Sequence, residues 1–156
     1  MTRNSATAAV AVMLASAASG LGAHAAGKGM QDVPAVVADI MGQTQLRHIK
    51  LGYAGRVGNW PLAAYETGQI RRSFDDAAKA GGKIDDRSLS QWFDEQTLPA
   101  LDELQRAIAA KDVKSFNAAF ADLTAACNRC HQAANMGFVR MQTPTASPFS
   151  NQSFPP

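Results

Sequence analysis

Cysteine and histidine are both scarce in this chain of 156 residues, which contains 2 cysteines and 3 histidines. Two cysteines cannot supply the several crosslinks that hold a small disulfide scaffold together. An excess of charge of one sign is also missing, because 15 lysines and arginines stand against 13 aspartates and glutamates. This near balance gives no basic surface of the kind that binds nucleic acid, so we expect no nucleic-acid partner.

Apolar runs long enough to cross a bilayer, about 20 residues, are absent as well. The longest run, Ala6 to Ala18, follows the positive charge of Arg3 and precedes the small-x-small pattern Ala23-His24-Ala25. This arrangement is typical of a secretory signal peptide that is cleaved near Ala25. We therefore expect residues 1–25 to be a signal peptide, and the mature protein to be periplasmic with no membrane span.

Four helical segments are indicated by apolar residues that recur every three or four positions. They are predicted to run from Asp32 to between Ala54 and Gly58, from Asn59 to Gly81, from Thr97 to Lys111, and from Asp112 to near Gly137. Pro34 and Pro61 are expected in first turns, and Leu89 to Phe93 in a short lead-in to the third segment. Short connections favour antiparallel neighbours, so the sequence predicts an all-α protein, an antiparallel up-down-up-down four-helix bundle. Residues 141–156, rich in Pro, Ser and Asn, are predicted to be an extended tail that lies on the bundle or hangs free.

The segment Cys127-Asn128-Arg129-Cys130-His131 has the sequence that attaches a c-type haem. Both cysteines belong to the apolar seam of the last predicted helix, so both sulfurs can reach the vinyl groups of one porphyrin. The His131 imidazole can then reach the iron as its proximal ligand. We expect one covalently attached haem c, and we assign residues 26–140 to a haem-binding helical domain.

Three other interpretations of the cysteine pair fit less well. A structural zinc site normally has four Cys or His ligands, and the sequence has no second cysteine pair to complete one. A thioredoxin-like redox pair lies at a helix start after a strand, whereas this motif lies late in a predicted helix. A disulfide between Cys127 and Cys130 within a helix would be strained.

The last predicted helix, from Phe120 to His131, resembles the class II c-type cytochromes, the cytochrome c′ group. The resemblance extends over the expected helical region but is specific only in this helix. It implies that Cys127 and Cys130 form the thioether bonds, that His131 is the proximal ligand, and that the protein forms a homodimer. The first helix around Gln45 to Leu51 departs from that family, and the chain continues well past His131. A separate family that shares the architecture is the alternative.

The sixth iron ligand separates electron transfer from gas binding, and two side chains of the first helix are candidates. The helical rise places Met41 within about 2 Å of the level of His131, and His48 about 12 Å above that level. The resemblance to cytochrome c′ implies a distal residue about one turn above the proximal histidine, which lies between the two candidates, so this geometry does not choose. His48 is a candidate distal ligand because a histidine on an apolar seam needs a metal or a polar partner, and it is equally interpretable as a hydrogen-bonded core histidine. Met41 is the alternative ligand, and Met141 would reach only if the tail folded back.

The sequence therefore predicts a periplasmic monohaem c-type cytochrome that transfers electrons to or from an unidentified redox partner protein. A five-coordinate, cytochrome c′-like protein that binds nitric oxide or carbon monoxide is the alternative function. A haem-free module with a disulfide is a third. The sequence contains no recognisable catalytic constellation, so we do not expect an enzyme.

Overall fold

The computed structural model describes residues 33–156, so the predicted signal peptide (residues 1–25) and Asp32 lie outside the described residues. Five helices and a two-stranded hairpin make up residues 33–156: α1 Ala35–Arg56, α2 Trp60–Ala80, β1 Lys83–Ile84, β2 Arg87–Ser88, α3 Leu89–Gln96, α4 Leu98–Ala110 and α5 Val113–Ala133. This part of the chain is mostly helical, which confirms the all-α class.

The bounds of the first two helices follow from their capping residues. Pro34 takes the N-cap position of α1, so the helix begins at Ala35 and not before the proline as predicted. The Asn59 side chain accepts a hydrogen bond from the Leu62 N–H at 3.2 Å, and α2 starts after it as expected. Gly81, with φ of 85°, ends α2 in a backbone conformation that side chains with a Cβ rarely adopt.

A short antiparallel hairpin between α2 and α3 was not predicted. Lys83 pairs with Ser88, and Ile84 pairs with Arg87. The Trp92 indole donates to the Ile84 carbonyl at 3.1 Å, while the Arg87 guanidinium lies 3.8 Å from the centre of the Trp92 ring. Strands of two residues are too short to show an alternating pattern in the sequence. The contacts with Trp92 of α3 that support the hairpin also leave no local sequence pattern.

Thr97 separates α3 from α4, in agreement with the prediction of a short helical segment before the third main helix. Its hydroxyl, however, does not cap α4. The hydroxyl donates instead to the Phe93 carbonyl at 3.0 Å. Asp112 caps α5 by accepting a hydrogen bond from the Lys114 N–H at 2.9 Å. At the other end, α5 stops at Ala133 because Asn135 takes a positive φ of 57°, so the predicted end near Gly137 was too late.

The packing order of the helices places α1 next to α2 and α5, and α4 next to α2 and α5. The largest fully buried apolar side chains are Phe116, Leu51, Ile70, Leu101, Leu104 and Leu123. Among residues 33–156, no helix is both long enough and apolar enough to cross a membrane.

Two glycines allow α1 to approach α5 closely near the C-terminal end of α1. A Cβ added to Gly52 would lie 2.7 Å from the tip of the Phe120 ring, and one added to Gly55 would overlap the ring of Phe116. Both glycines are buried. We call this contact, formed by Gly52, Gly55, Phe116 and Phe120, the closed end of the α1–α5 pair.

The C-terminal tail lies on the helices and does not hang free. The Arg56 side chain donates to the Pro144 carbonyl at 2.7 Å. Farther along, the Asn59 side chain donates to the Phe154 carbonyl at 3.0 Å. The tail therefore runs back past α5 and along α1 until it reaches the start of α2.

Candidate functional site

A cavity of about 310 Å³ lies between the N-terminal part of α1 and the C-terminal part of α5. All five side chains predicted as iron or haem ligands line it: Met41 and His48 from α1, and Cys127, Cys130 and His131 from α5. Side chains of α2, α3 and the tail complete the walls. We call this part of the molecule, residues 33–48 and 127–141, the open end.

The two cysteines are free thiols, half-buried and one turn apart on α5. Burial raises the pKa of the Cys127 thiol to about 12, and the neighbouring Cys130 adds to the effect. Burial likewise raises the pKa of the Cys130 thiol to about 11. Both thiols are therefore protonated at neutral pH, which is opposite to the lowered pKa of a reactive redox cysteine.

His131 is oriented by a backbone carbonyl of the tail. Its Nδ1 lies 2.6 Å from the carbonyl oxygen of Val139. A carbonyl can only accept, so Nδ1 carries the proton and Nε2 of the neutral ring keeps its lone pair. A metal-binding histidine usually has this arrangement, with one nitrogen donating to a carbonyl and the other available to the metal.

The carbonyl that orients His131 is itself held by two neighbouring contacts. The Asn128 side chain donates to the Met141 carbonyl at 2.9 Å and accepts from the Met141 N–H at 2.7 Å. On the other side, the Val139 N–H donates to the Met136 carbonyl at 2.8 Å. Sequence reasoning missed both Asn128 and Val139, because the motif defines only its cysteines and histidine and the tail has no periodic pattern.

His48 is 2% exposed and hydrogen-bonded to α5. Its Nε2 lies 2.8 Å from the Thr124 hydroxyl, which in turn donates to the Phe120 carbonyl at 2.8 Å. Since that hydroxyl has a single proton, Nε2 of His48 is the donor. Burial lowers the pKa of His48 to about 4, so the ring is neutral at pH 7. Thr124 precedes His131 by two helical turns, so His48 lies about 10 Å from the level of His131 along α5.

Three methionines face the same cavity. Met41 is half-buried on α1. Met136 and Met141 come from the segment after α5, and Met141 is 9% exposed. The tail does fold back, so the condition under which Met141 could reach the site is met.

The remaining walls of the cavity suit a large apolar ligand. Two threonines line it, but the Thr44 hydroxyl donates to the Ile40 carbonyl at 2.8 Å and that of Thr97 also bonds within its own chain segment. Most other lining groups are aliphatic or aromatic. An apolar cavity with two free thiols and an available histidine nitrogen fits a covalently attached haem. In the described part of the chain, no group of three or more His, Cys, Asp or Glu side chains is arranged to hold a metal ion.

The chain matches no protein-family model, no curated protein and no solved structure. The resemblance of α5 to the last helix of the class II cytochromes therefore rests on the residues from Phe120 to His131. What those residues can do chemically depends on the cavity that they line.

Proposed function

We propose that this protein is a monohaem c-type cytochrome that transfers electrons. One observation carries the proposal: Cys127, Cys130 and His131 line a single apolar cavity, with both thiols free and Nε2 of the histidine available. The motif contains the residue types that attach a haem, and all three of these residues face one apolar cavity in which a haem could bind. We further propose export to the periplasm, where residues 1–25 have been removed and a redox partner protein exchanges the electron.

The proposed attachment uses the protonated state of the two thiols. Cys127 and Cys130 would hold the haem, each by adding its S–H across one vinyl group to give a thioether bond, with no group released. The structure leaves both thiols free, and burial keeps them protonated.

His131 is the proposed proximal ligand, and an attached haem supplies an iron that changes between ferric and ferrous states by one electron. The hydrogen bond from Nδ1 to the Val139 carbonyl holds the imidazole in one tautomer and orientation. The apolar walls exclude water from the site, which limits the reorganisation that accompanies a change of charge.

Met41 is the distal ligand that the contacts favour over His48. The thioether of Met41 lines the cavity without a competing hydrogen bond. His48 would have to give up its bond to Thr124, or turn so that Nδ1 meets the iron. Removing the bond would leave the buried imidazole N–H without an acceptor, which costs about 1–3 kcal/mol.

A second candidate function follows from the same hydrogen bond. If His48 stays on Thr124 and Met41 acts only as packing, the iron has an empty sixth position inside an apolar cavity. Such a site binds nitric oxide or carbon monoxide, as the resemblance to cytochrome c′ implies.

The four-helix arrangement is part of the proposal. α1, α2, α4 and α5 form a closed ring of neighbours, with α3 as a short lead-in to α4, and this order supports an up-down-up-down bundle. A homodimer is a further expectation from the class II resemblance.

The first experiment is a haem stain on a denaturing gel, applied to protein expressed with its export signal. The wild-type chain should keep its haem through denaturation, and Cys127→Ser combined with Cys130→Ser should lose it. An unstained wild-type band would rule out the cytochrome proposal.

Visible spectra of the oxidised, reduced and carbon monoxide-treated protein then separate the two functions. A low-spin spectrum that Met41→Ala converts to high spin, and that His48→Ala leaves unchanged, supports the electron carrier with Met41 as ligand. A ferrous wild-type protein that takes up carbon monoxide at once supports the gas-binding alternative.

A further inference from the structure

We infer that Asn128 is a positioning residue for His131, acting through the C-terminal tail: its side chain clamps the backbone of Met141 and so fixes the Val139 carbonyl on the imidazole. This inference rests on the proposed function, because it concerns how His131 donates to a haem iron.

The clamp is bidentate. The amide of Asn128 both donates to and accepts from the backbone of Met141, at 2.9 and 2.7 Å, in the manner of a pair of strand residues. Two hydrogen bonds to a single residue fix the rotation of the tail as well as its distance from α5. A residue with one bonding group could fix only the distance.

The clamp and the imidazole lie on the same face of α5. Asn128 precedes His131 by three residues, so the two side chains are neighbours one turn apart. The tail crosses both of them: Met141 on Asn128, and Val139 on His131. Val139 is also held from the preceding side by its N–H bond to Met136. Its carbonyl is therefore fixed from both directions.

A fixed carbonyl on Nδ1 makes His131 a stronger electron donor. The hydrogen bond draws the Nδ1 proton toward the carbonyl and increases the basicity of Nε2. A more basic proximal ligand stabilises ferric over ferrous iron, so the clamp should lower the reduction potential. If the carbonyl becomes free to move, the potential should rise.

Other anchors of the tail offer a matched control. Arg56 bonds the Pro144 carbonyl at 2.7 Å, three residues beyond the clamp and on a different helix. Loss of this bond loosens the tail without touching Asn128 or Val139. Asn128→Ala and Arg56→Ala therefore each remove tail hydrogen bonds, but only the first removes the clamp.

The test measures the reduction potential of haem-loaded wild type, Asn128→Ala, Asn128→Leu and Arg56→Ala. We expect a higher potential for Asn128→Ala and an unchanged one for Arg56→Ala. Asn128→Leu, which is uncharged, similar in size to asparagine and able neither to donate nor to accept, should show the same rise as Asn128→Ala. Equal potentials for all four proteins, or an equal rise for Asn128→Ala and Arg56→Ala, would overturn the inference. If Asn128→Ala does not fold, the comparison of Asn128→Leu with Arg56→Ala decides in the same way.

A second measurement is independent of the haem. In protein produced without haem and labelled with 15N-histidine, NMR reports which ring nitrogen of His131 carries the proton. The wild type should show the Nδ1–H form, and Asn128→Ala should show a mixture of the two tautomers. A wild-type mixture would contradict the clamp, whereas a wild-type protein that shows the Nδ1–H form but never acquires haem would contradict only the proposed function.

Discussion

The two ends of the α1–α5 pair differ in what lies opposite the glycines of α1. At the closed end, glycines on α1 let two phenylalanine rings of α5 lie almost against the helix backbone. At the open end, Gly42 of α1 has no atom within 4 Å of the position its Cβ would take, and α5 presents cysteines. One pair of helices thus supplies a tightly packed contact and a cavity of about 310 Å³. The tightly packed contact holds α1 and α5 together beside the cavity.

Glycine-to-alanine substitution at each end is expected to give the largest contrast. Gly55→Ala should destabilise the protein by about 3 kcal/mol, because the Phe116 ring is fully buried and cannot move aside. In the haem-free protein, Gly42→Ala should increase stability by about 0.5 to 1 kcal/mol, since alanine favours the helix and no protein atom lies within 4 Å of the added Cβ. Urea unfolding of the two variants measures the difference. Equal effects would mean that the two ends do not differ in packing as described.

The pH dependence of stability should reveal the buried His48 between the two ends. Its pKa is about 4 in the folded chain against 6.5 when exposed, so the unfolded chain takes up a proton first as pH falls. Stability is therefore complete above pH 6.5 and falls by about 3 kcal/mol between pH 7 and pH 4. Unfolding free energies measured across this range for wild type and His48→Gln check the effect. In His48→Gln the free energy of unfolding should fall less steeply between pH 7 and pH 4. Identical pH dependence in the two proteins would contradict the low pKa of His48.

Thr124→Val should have a smaller effect, because it removes only the acceptor for His48. A buried Nε2–H without a partner costs about 2 kcal/mol. In a His48→Phe background the donor is absent, so the same substitution should be close to neutral. A double-mutant cycle by urea unfolding measures this coupling. Additive effects of the two substitutions would show that the hydrogen bond contributes nothing to stability.

Local signals predicted the helices well where a capping residue acts on its own neighbours. Asn59 and Gly81 gave the bounds of α2, and Asp112 gave the start of α5. The C-terminal end of α5, which Asn135 sets, was not predicted, because an asparagine with positive φ is not recognisable from its identity alone. The hairpin at Lys83–Ile84 was missed for a related reason: Trp92, eight residues away from Ile84, provides its support.

The candidate site was predictable to the extent that it follows from helical geometry. Spacing along α5 predicted that both cysteines share one face, and both line the cavity. The helical rise also predicted His48 well above the level of His131, and its bond to Thr124 places it there. This bond agrees with the interpretation of His48 as a hydrogen-bonded core histidine. The tail contacts of Asn128 could not be derived, because they join segments that share no periodic pattern and meet through backbone groups.

Anchoring of the tail at two distant points leaves the segment between them free to vary in length. One anchor is the clamp at Met141, and the other is the bond from Asn59 to Phe154 at the far end of α1. Added residues can loop outward near the exposed Thr145 to Ser147 at a small entropic cost. Insertions in this segment should therefore be tolerated during divergence of the sequence.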